Sequence, residues 1–190
     1  KLHQFISQGR AVYATYEARD RRYLTLDGQY YAPGADGARL LFPLVFCRVC
    51  GQEYYKVCYD ESNSRVTPWG EAFDEEEDEQ SQRGYLMMPS SEGFDWSVED
   101  LPTEWLNVNG RVRSNYKKRL PRLIHVAPDG AASTEPGGGT VKGYFQTSPF
   151  LLCLNCGEYY TGRQREFTKL SGLSSEGRSS ATTVLSITSL

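Results

Sequence analysis

Aromatic and β-branched side chains alternate with polar ones along much of the chain, a pattern typical of strands that bury one face. The same pattern recurs after residue 80 in shorter segments. It predicts strands over 11–17, 23–32, 39–46, 54–59, 84–88, 122–127, 141–146 and 150–153. The sequence therefore predicts a mainly β (α+β) fold built from antiparallel strands.

Turns and two helices complete this prediction. Residues 33–37 and 128–130 have turn composition, and 131–139 has that of a loop. Residues 100–106 predict a short central helix, since Pro102 is tolerated in a first turn and Glu104 suits the helix N-terminus. Apolar residues at 181, 184, 185 and 187 predict a C-terminal helix over 179–190.

Composition limits the class of protein. The chain has 190 residues, enough for one sizeable domain or for one domain with a long insertion. Its 13% aromatic content argues against a wholly disordered chain. Its longest apolar run, 40–46, is far below the roughly 20 residues that span a bilayer, so we expect no membrane segment and a cytoplasmic location.

Charge is unevenly distributed, although the net charge is only −3. Seven of the nine residues in 71–79 are acidic, which predicts a solvated acidic loop over 71–83. A basic stretch without acids follows. Its candidate nucleic-acid contacts are Arg111, Arg113, Lys117, Lys118, Arg119 and Arg122, with Tyr116 for base stacking. A solvated basic face is the alternative interpretation of this stretch.

Four of the five cysteines form two Cys-x-x-Cys-Gly motifs in similar settings. Cys47 and Cys50 follow a proline and three apolar residues, as do Cys153 and Cys156, and a Tyr-Tyr pair comes after each motif. Two cysteines at this spacing can bind one metal ion from a tight turn, and the glycine allows the positive φ that leads back into a strand. Two such knuckles supply the four thiolates of a tetrahedral zinc site.

Other chemistry for these cysteines is less favoured. Disulfides are disfavoured because the count is odd and no secretory signal is evident. A redox pair would open a helix, whereas both motifs continue into predicted strands. Cys58 is predicted to be a small buried side chain rather than a ligand. His3 and His125 lack ligand spacing.

A closed Cys₄ site has no position for a reacting water, so we expect structural Zn²⁺ in a zinc-ribbon-like arrangement. The two knuckles are separated by residues 51–152, an unusually long insertion. We therefore predict a zinc-binding domain over 1–170 and a helical segment over 171–190 that leads into a following domain. No catalytic residues are predicted, because no nucleophile–base arrangement or phosphate-binding motif is present.

Several segments resemble a known family. Residues 1–7, 12–15, 46–54, 100–106 and 173–184 look like the inter-lobe region of large bacterial DEAD/DEAH-box superfamily 2 helicases, relatives of the Lhr-like and DISARM-type defence helicases. The resemblance implies that the chain is a piece of a longer protein that uses ATP and Mg²⁺ to move on DNA or RNA. It also implies contact with RecA-like lobes of that protein. No ATP-binding residue can be assigned here.

Two functions follow as expectations. The first is an accessory domain of a helicase that braces its ATPase lobes, contacts the nucleic-acid strand, or both. The second is a zinc-ribbon module that binds another protein and no nucleic acid, with the acidic loop as its contact. Salt-dependent binding of DNA would distinguish the two.

Overall fold

The computed structural model of the chain describes residues 11–34, 39–70, 81–91 and 93–172. Antiparallel strands dominate these residues, and the helical elements are all short. The strands are β1 (Tyr13–Thr15), β2 (Leu24–Thr25), β3 (Leu41–Cys47), β4 (Glu53–Asp60), β5 (Arg65–Pro68), β6 (Ser81–Met87), β7 (Arg122–Val126), β8 (Ala132–Ser133), β9 (Val141–Thr147) and β10 (Leu170–Ser171). The helices are α1 (Ser114–Lys117) and α2 (Glu166–Lys169), and 3₁₀ turns span Val98–Asp100 and Thr103–Trp105.

All ten strands belong to one sheet, in which the order is β2-β1-β3-β4-β6-β9-β7-β8. The long strand β4 carries β6 on one side, and both β3 and β5 on the other. The β7–β8 hairpin returns to β5, where the Val66 amide donates to the Gly130 carbonyl at 2.8 Å. The sheet therefore curls and closes on itself, as in a barrel.

Alternation along the strands gives the sheet two buried faces. Tyr54 and Tyr55 are consecutive residues of β4, both fully buried, and they lie in different hydrophobic cores. Side chains of one strand point alternately to opposite faces, so both halves of the alternating pattern are apolar here. We call the two clusters the inner core and the outer core.

The inner core fills the curled sheet. Its members are Ala14, Tyr16, Leu40, Phe42, Leu44, Tyr55, Val57, Tyr59, Val66, Leu86, Met88, Ile124, Val126, Ala132 and Phe145. The rings of Tyr16 and Tyr55 meet edge to face, with centroids 4.9 Å apart. The Tyr16 hydroxyl donates to the Lys142 carbonyl at 3.0 Å, which satisfies its polar end inside the core.

The outer core lies between the other face of the sheet and the segments after residues 90 and 148. It contains Cys47, Tyr54, Tyr85, Met87, Leu101, Trp105, Tyr144, Phe150, Leu151, Leu152, Cys153, Leu154 and Leu170. Trp69 and Trp96 pack against it, and Trp105 is buried within it. All three tryptophans of the chain therefore belong to this side of the molecule.

The predicted mainly β fold of antiparallel strands with a cysteine site is confirmed. Three predicted strands are much shorter or absent. The strand predicted over 11–17 is reduced to β1. The strand predicted over 23–32 is reduced to β2, because a turn at Asp27 follows at once, with the Gln29 amide donating to the Asp27 carbonyl. The strand predicted over 150–153 is replaced by a single bridge between Leu152 and Tyr159.

The predicted helix over 100–106 is two separate 3₁₀ turns. Proline disfavours helical geometry in the residue before it, and Leu101, which precedes Pro102, is extended with φ −72° and ψ 142°. The first turn is capped reciprocally by Ser97 and Asp100. Proline thus divides the segment instead of opening one helix.

Other predictions fall on the limits of the described residues. Residues 81–83 of the predicted acidic loop belong to β6, and residues 71–80 lie outside the described residues. The C-terminal helix predicted over 179–190 also lies outside them. Within the described part of the chain, no helix has the length and apolar character needed to cross a membrane.

Candidate metal centre

The two cysteine motifs meet at one point, although 102 residues separate Cys50 from Cys153. The sulfur atoms of Cys47, Cys50, Cys153 and Cys156 all lie within 4.8 Å of one another. Cys47 and Cys153 are buried, whereas Cys50 and Cys156 are exposed. The structure therefore brings together the four ligands that the spacing predicted.

The two turns that carry these cysteines are built alike. In the first, the Cys47 amide donates to the Gln52 carbonyl and the Gly51 amide donates to the Cys47 carbonyl. In the second, Cys153, Glu158 and Gly157 make the same pair of bonds. The glycines have φ of +75° and +74°, a region that favours glycine. We call these turns the first and second knuckles.

The spacing of the sulfurs suits a tetrahedral metal ion. With Zn–S bonds of about 2.3 Å, the edge of a ZnS₄ tetrahedron is about 3.8 Å. The sulfurs of Cys50 and Cys153, which belong to different knuckles, are 3.7 Å apart. None of the five cysteines forms a disulfide. Neither motif opens a helix, so the arrangement of a thioredoxin-like redox pair is absent from these knuckles.

Burial sets the protonation of the thiols before a metal binds. It raises the pKa of Cys47 and of Cys153 to about 11. At Cys50 burial opposes ionisation, but hydrogen bonds from the Asn155 side chain, the Gln52 backbone and neighbouring thiols outweigh it and lower the pKa to about 7. A divalent cation would take the place of the remaining protons.

A buried polar network lies next to the knuckles, on α2. The Glu166 carboxylate accepts from the Phe150 amide at 3.0 Å and from the Tyr85 hydroxyl at 2.8 Å. The fully buried Lys169 ammonium donates to the Phe150 carbonyl at 2.8 Å. After α2, β10 pairs with β3, with Leu170 opposite Cys47. The network therefore fixes the segment that runs beside the first knuckle.

Some cations of the basic stretch contact the rest of the fold, whereas others are exposed to solvent. Arg119 donates to the Ser148 carbonyl. Arg122 pairs with Glu61 at 2.7 Å, and its guanidinium lies over the rings of Tyr59 and Phe145. Arg113 donates through Nε to the Leu106 carbonyl at 2.8 Å. The side chains of these three arginines are therefore engaged in contacts within the fold.

The ring that was predicted to stack on a base is also engaged within the chain. Tyr116 stacks on Trp105 with centroids 4.4 Å apart and planes 5° from parallel. One face of its ring is covered by this contact. Arg111, Lys117 and Lys118 are exposed, and among the described residues their charged groups form no ion pair.

The other candidate ligands lie apart from the cluster. Cys58 is half-buried on β4, where it is paired with Thr67 and Arg83. His125 lies in β7, opposite Lys142 of β9 and Ser133 of β8. Neither joins the group of four cysteines. His3 lies outside the described residues.

No family model, curated protein or solved structure matches this chain. Its function is therefore inferred from the chemistry of the site.

Proposed function

We propose that the chain is a zinc-binding domain in which the metal has a structural role. The observation that carries this proposal is the convergence of four thiols from two matching knuckles. Four soft sulfur ligands in a tetrahedron favour Zn²⁺ over hard cations such as Mg²⁺ and Ca²⁺. With every ligand position filled by protein, the ion has no open position for a substrate.

The metal would join two distant parts of the sheet. The first knuckle connects β3 to β4, and the second follows β9, so the ion closes a loop of about a hundred residues. Cross-linking so long a loop restricts the unfolded chain, and metal binding contributes directly to folding. Structural zinc in small domains supplies about 10–16 kcal/mol of apparent binding energy, comparable to the whole stability of a domain.

The test combines elemental analysis with cysteine variants. The purified chain is expected to contain one zinc per molecule. Cys153→Ser removes a fully buried ligand, so it is expected to abolish stoichiometric zinc and to unfold or aggregate the protein. Cys58→Ser is the matched control, because Cys58 lies outside the cluster; it is expected to keep its zinc.

Two results would contradict the proposal. One is wild-type protein, purified without chelators, that contains no stoichiometric metal. The other is a Cys153→Ser variant that stays soluble and melts at the wild-type temperature. Either result would show that the four cysteines do not hold the fold together through a metal.

Contact with a nucleic-acid strand is a second candidate function. It is supported by three exposed cations, Arg111, Lys117 and Lys118, that lie on one short segment around α1. Phosphate contacts of this kind give an affinity that falls steeply with salt. In the helicase context that the resemblance implies, such a domain would lie between ATPase lobes and brace them or guide the strand. That context stays a prediction.

Charge reversal tests this second candidate. Lys117→Glu with Lys118→Glu is expected to abolish salt-dependent binding of single-stranded DNA in a fluorescence anisotropy titration. Arg21→Glu with Arg163→Glu makes the same change in net charge at exposed positions elsewhere. This control is expected to bind as the wild type does. Absence of wild-type binding at low salt would favour the alternative, a module that binds protein.

A further inference from the structure

In each knuckle, one cysteine sulfur accepts a hydrogen bond from a side chain that lies in or next to the other knuckle. The Tyr54 hydroxyl, on β4 after the first knuckle, lies 3.3 Å from the sulfur of Cys153 in the second. The Asn155 amide, within the second knuckle, donates through Nδ2 to the sulfur of Cys50 in the first at 3.5 Å. The two contacts therefore cross the site in opposite directions.

The hydroxyl of Tyr54 can direct its proton only toward sulfur. Its oxygen already accepts from the Leu154 amide at 2.9 Å, so its single O–H is left for Cys153. The ring is fully buried and meets Phe150 edge to face, with centroids 4.9 Å apart. Packing thus fixes the direction of this hydrogen bond.

Comparison of the two knuckles shows that the contact with a tyrosine hydroxyl is made by the second knuckle and not by the first. Arg48 occupies the position in the first knuckle that Leu154 occupies in the second, directly after the first cysteine. The Leu154 amide donates to the Tyr54 hydroxyl, whereas the Arg48 amide donates to the Lys169 carbonyl at 3.0 Å. Main chain from the α2–β10 segment therefore stabilises the first knuckle, and a tyrosine hydroxyl stabilises the second.

We propose that Tyr54 and Asn155 are positioning residues for the metal, an inference that rests on the proposed zinc function. Four thiolates around Zn²⁺ leave a formal double negative charge, and hydrogen bonds to sulfur draw part of that charge away. They also hold the sulfurs of Cys153 and Cys50 in the orientation that the ion needs. Such outer partners affect metal affinity by 10–100-fold in other metal sites.

The test compares two tyrosine variants in the full chain. Tyr54→Phe keeps the buried ring and removes only the hydroxyl, so zinc affinity, measured by competition with a chromophoric chelator, is expected to fall about 10–100-fold. Tyr144→Phe is the matched control. Tyr144 is also buried in the outer core, but its hydroxyl donates to Asp95 at 2.8 Å and not to sulfur. Its zinc affinity is expected to stay close to that of the wild type.

Cobalt spectra separate a role at sulfur from a general loss of stability. Co²⁺ bound by thiolates gives charge-transfer bands whose energy depends on the charge on sulfur. Tyr54→Phe is expected to shift these bands and Tyr144→Phe to leave them unchanged. Asn155→Leu, which removes the longer contact, is expected to give a smaller shift in the same direction.

Unchanged cobalt bands in Tyr54→Phe, or equal loss of zinc affinity in both tyrosine variants, would overturn the positioning role and leave the zinc site itself intact. Wild-type protein that binds neither Zn²⁺ nor Co²⁺ would overturn both proposals.

Discussion

Lys169 connects helix α2 to the segment that leads into the second knuckle, because its ammonium donates to the Phe150 carbonyl. Its ammonium is fully buried and lies 3.4 Å from Glu166, the carboxylate that also accepts from Tyr85 and Phe150. Burial raises the pKa of Tyr85, and the negative charge of Glu166 adds to this effect, so this tyrosine stays protonated as a donor. A buried ion pair of this kind is stable only when each partner is fully hydrogen-bonded.

Removing one partner of the pair is expected to destabilise the domain. Lys169→Met keeps most of the side-chain volume but leaves the Phe150 carbonyl and Glu166 without their cation. Breaking a buried pair in this way costs about 3–5 kcal/mol, and the partial exposure of Glu166 places the expected loss near the lower value. Urea unfolding measures the loss.

Two comparisons check the origin of that loss. Lys118→Met removes an exposed cation and is expected to change the unfolding free energy by less than about 0.5 kcal/mol. Lys169→Met with Glu166→Gln is expected to recover part of the loss, because the unpaired carboxylate is removed as well. A Lys169→Met variant as stable as the wild type would show that the pair contributes nothing.

Strands β6 and β9 approach each other closely at Gly84. A Cβ placed there would lie 2.2 Å from the Gln146 carbonyl oxygen and 2.7 Å from the Phe145 ring. Main chain of a paired strand cannot move aside without disturbing the sheet. Gly84→Ala is therefore expected to destabilise the protein by about 1–3 kcal/mol through overpacking.

The matched control for this substitution is Gly138→Ala, which adds the same methyl group in open space at a glycine without positive φ. It is expected to leave the melting temperature unchanged or slightly raised, since alanine restricts the unfolded chain. Equal melting temperatures for the two variants would contradict the close approach of β6 and β9.

The knuckles, which depend on local sequence, were predicted correctly, whereas elements that depend on distant partners were not. The knuckles follow from ligand spacing and a glycine, all within five residues. Strand β10, in contrast, has two residues and exists because Leu170 meets Cys47 across the fold. Nothing in residues 166–171 indicates this partner, so β10 and α2 could not be predicted.

The contacts made by the basic stretch also depend on distant partners. Its residues look alike in sequence, yet Arg122 lies over the rings of Tyr59 and Phe145, whereas Lys117 and Lys118 face solvent. Tyr116, which is predicted to stack on a base, stacks on Trp105 within the chain. Charge and aromaticity indicate what a side chain can do, and only the tertiary neighbours determine which contact it makes.

On the scale of the whole molecule, the sheet separates two cores, and only one of them contains cysteines of the candidate metal site. The inner core is enclosed by strands that pair with one another, and no cysteine of the site belongs to it. The outer core includes Cys47 and Cys153 and is covered by segments that the knuckles hold in place. Metal removal should therefore loosen the outer core first, since local stability follows local contacts.

The tryptophans make this difference measurable, because Trp69, Trp96 and Trp105 all belong to the outer core or pack against it. Adding a strong chelator is expected to shift tryptophan emission to longer wavelength, and adding zinc is expected to reverse the shift. Soon after the chelator is added, before the unfolding expected of the metal-free chain is complete, amides of the inner-core residues Val57 and Ile124 are expected to keep more protection from hydrogen exchange than those of the knuckles. Simultaneous loss of protection in both cores would show instead that the metal holds the whole domain as one cooperative unit.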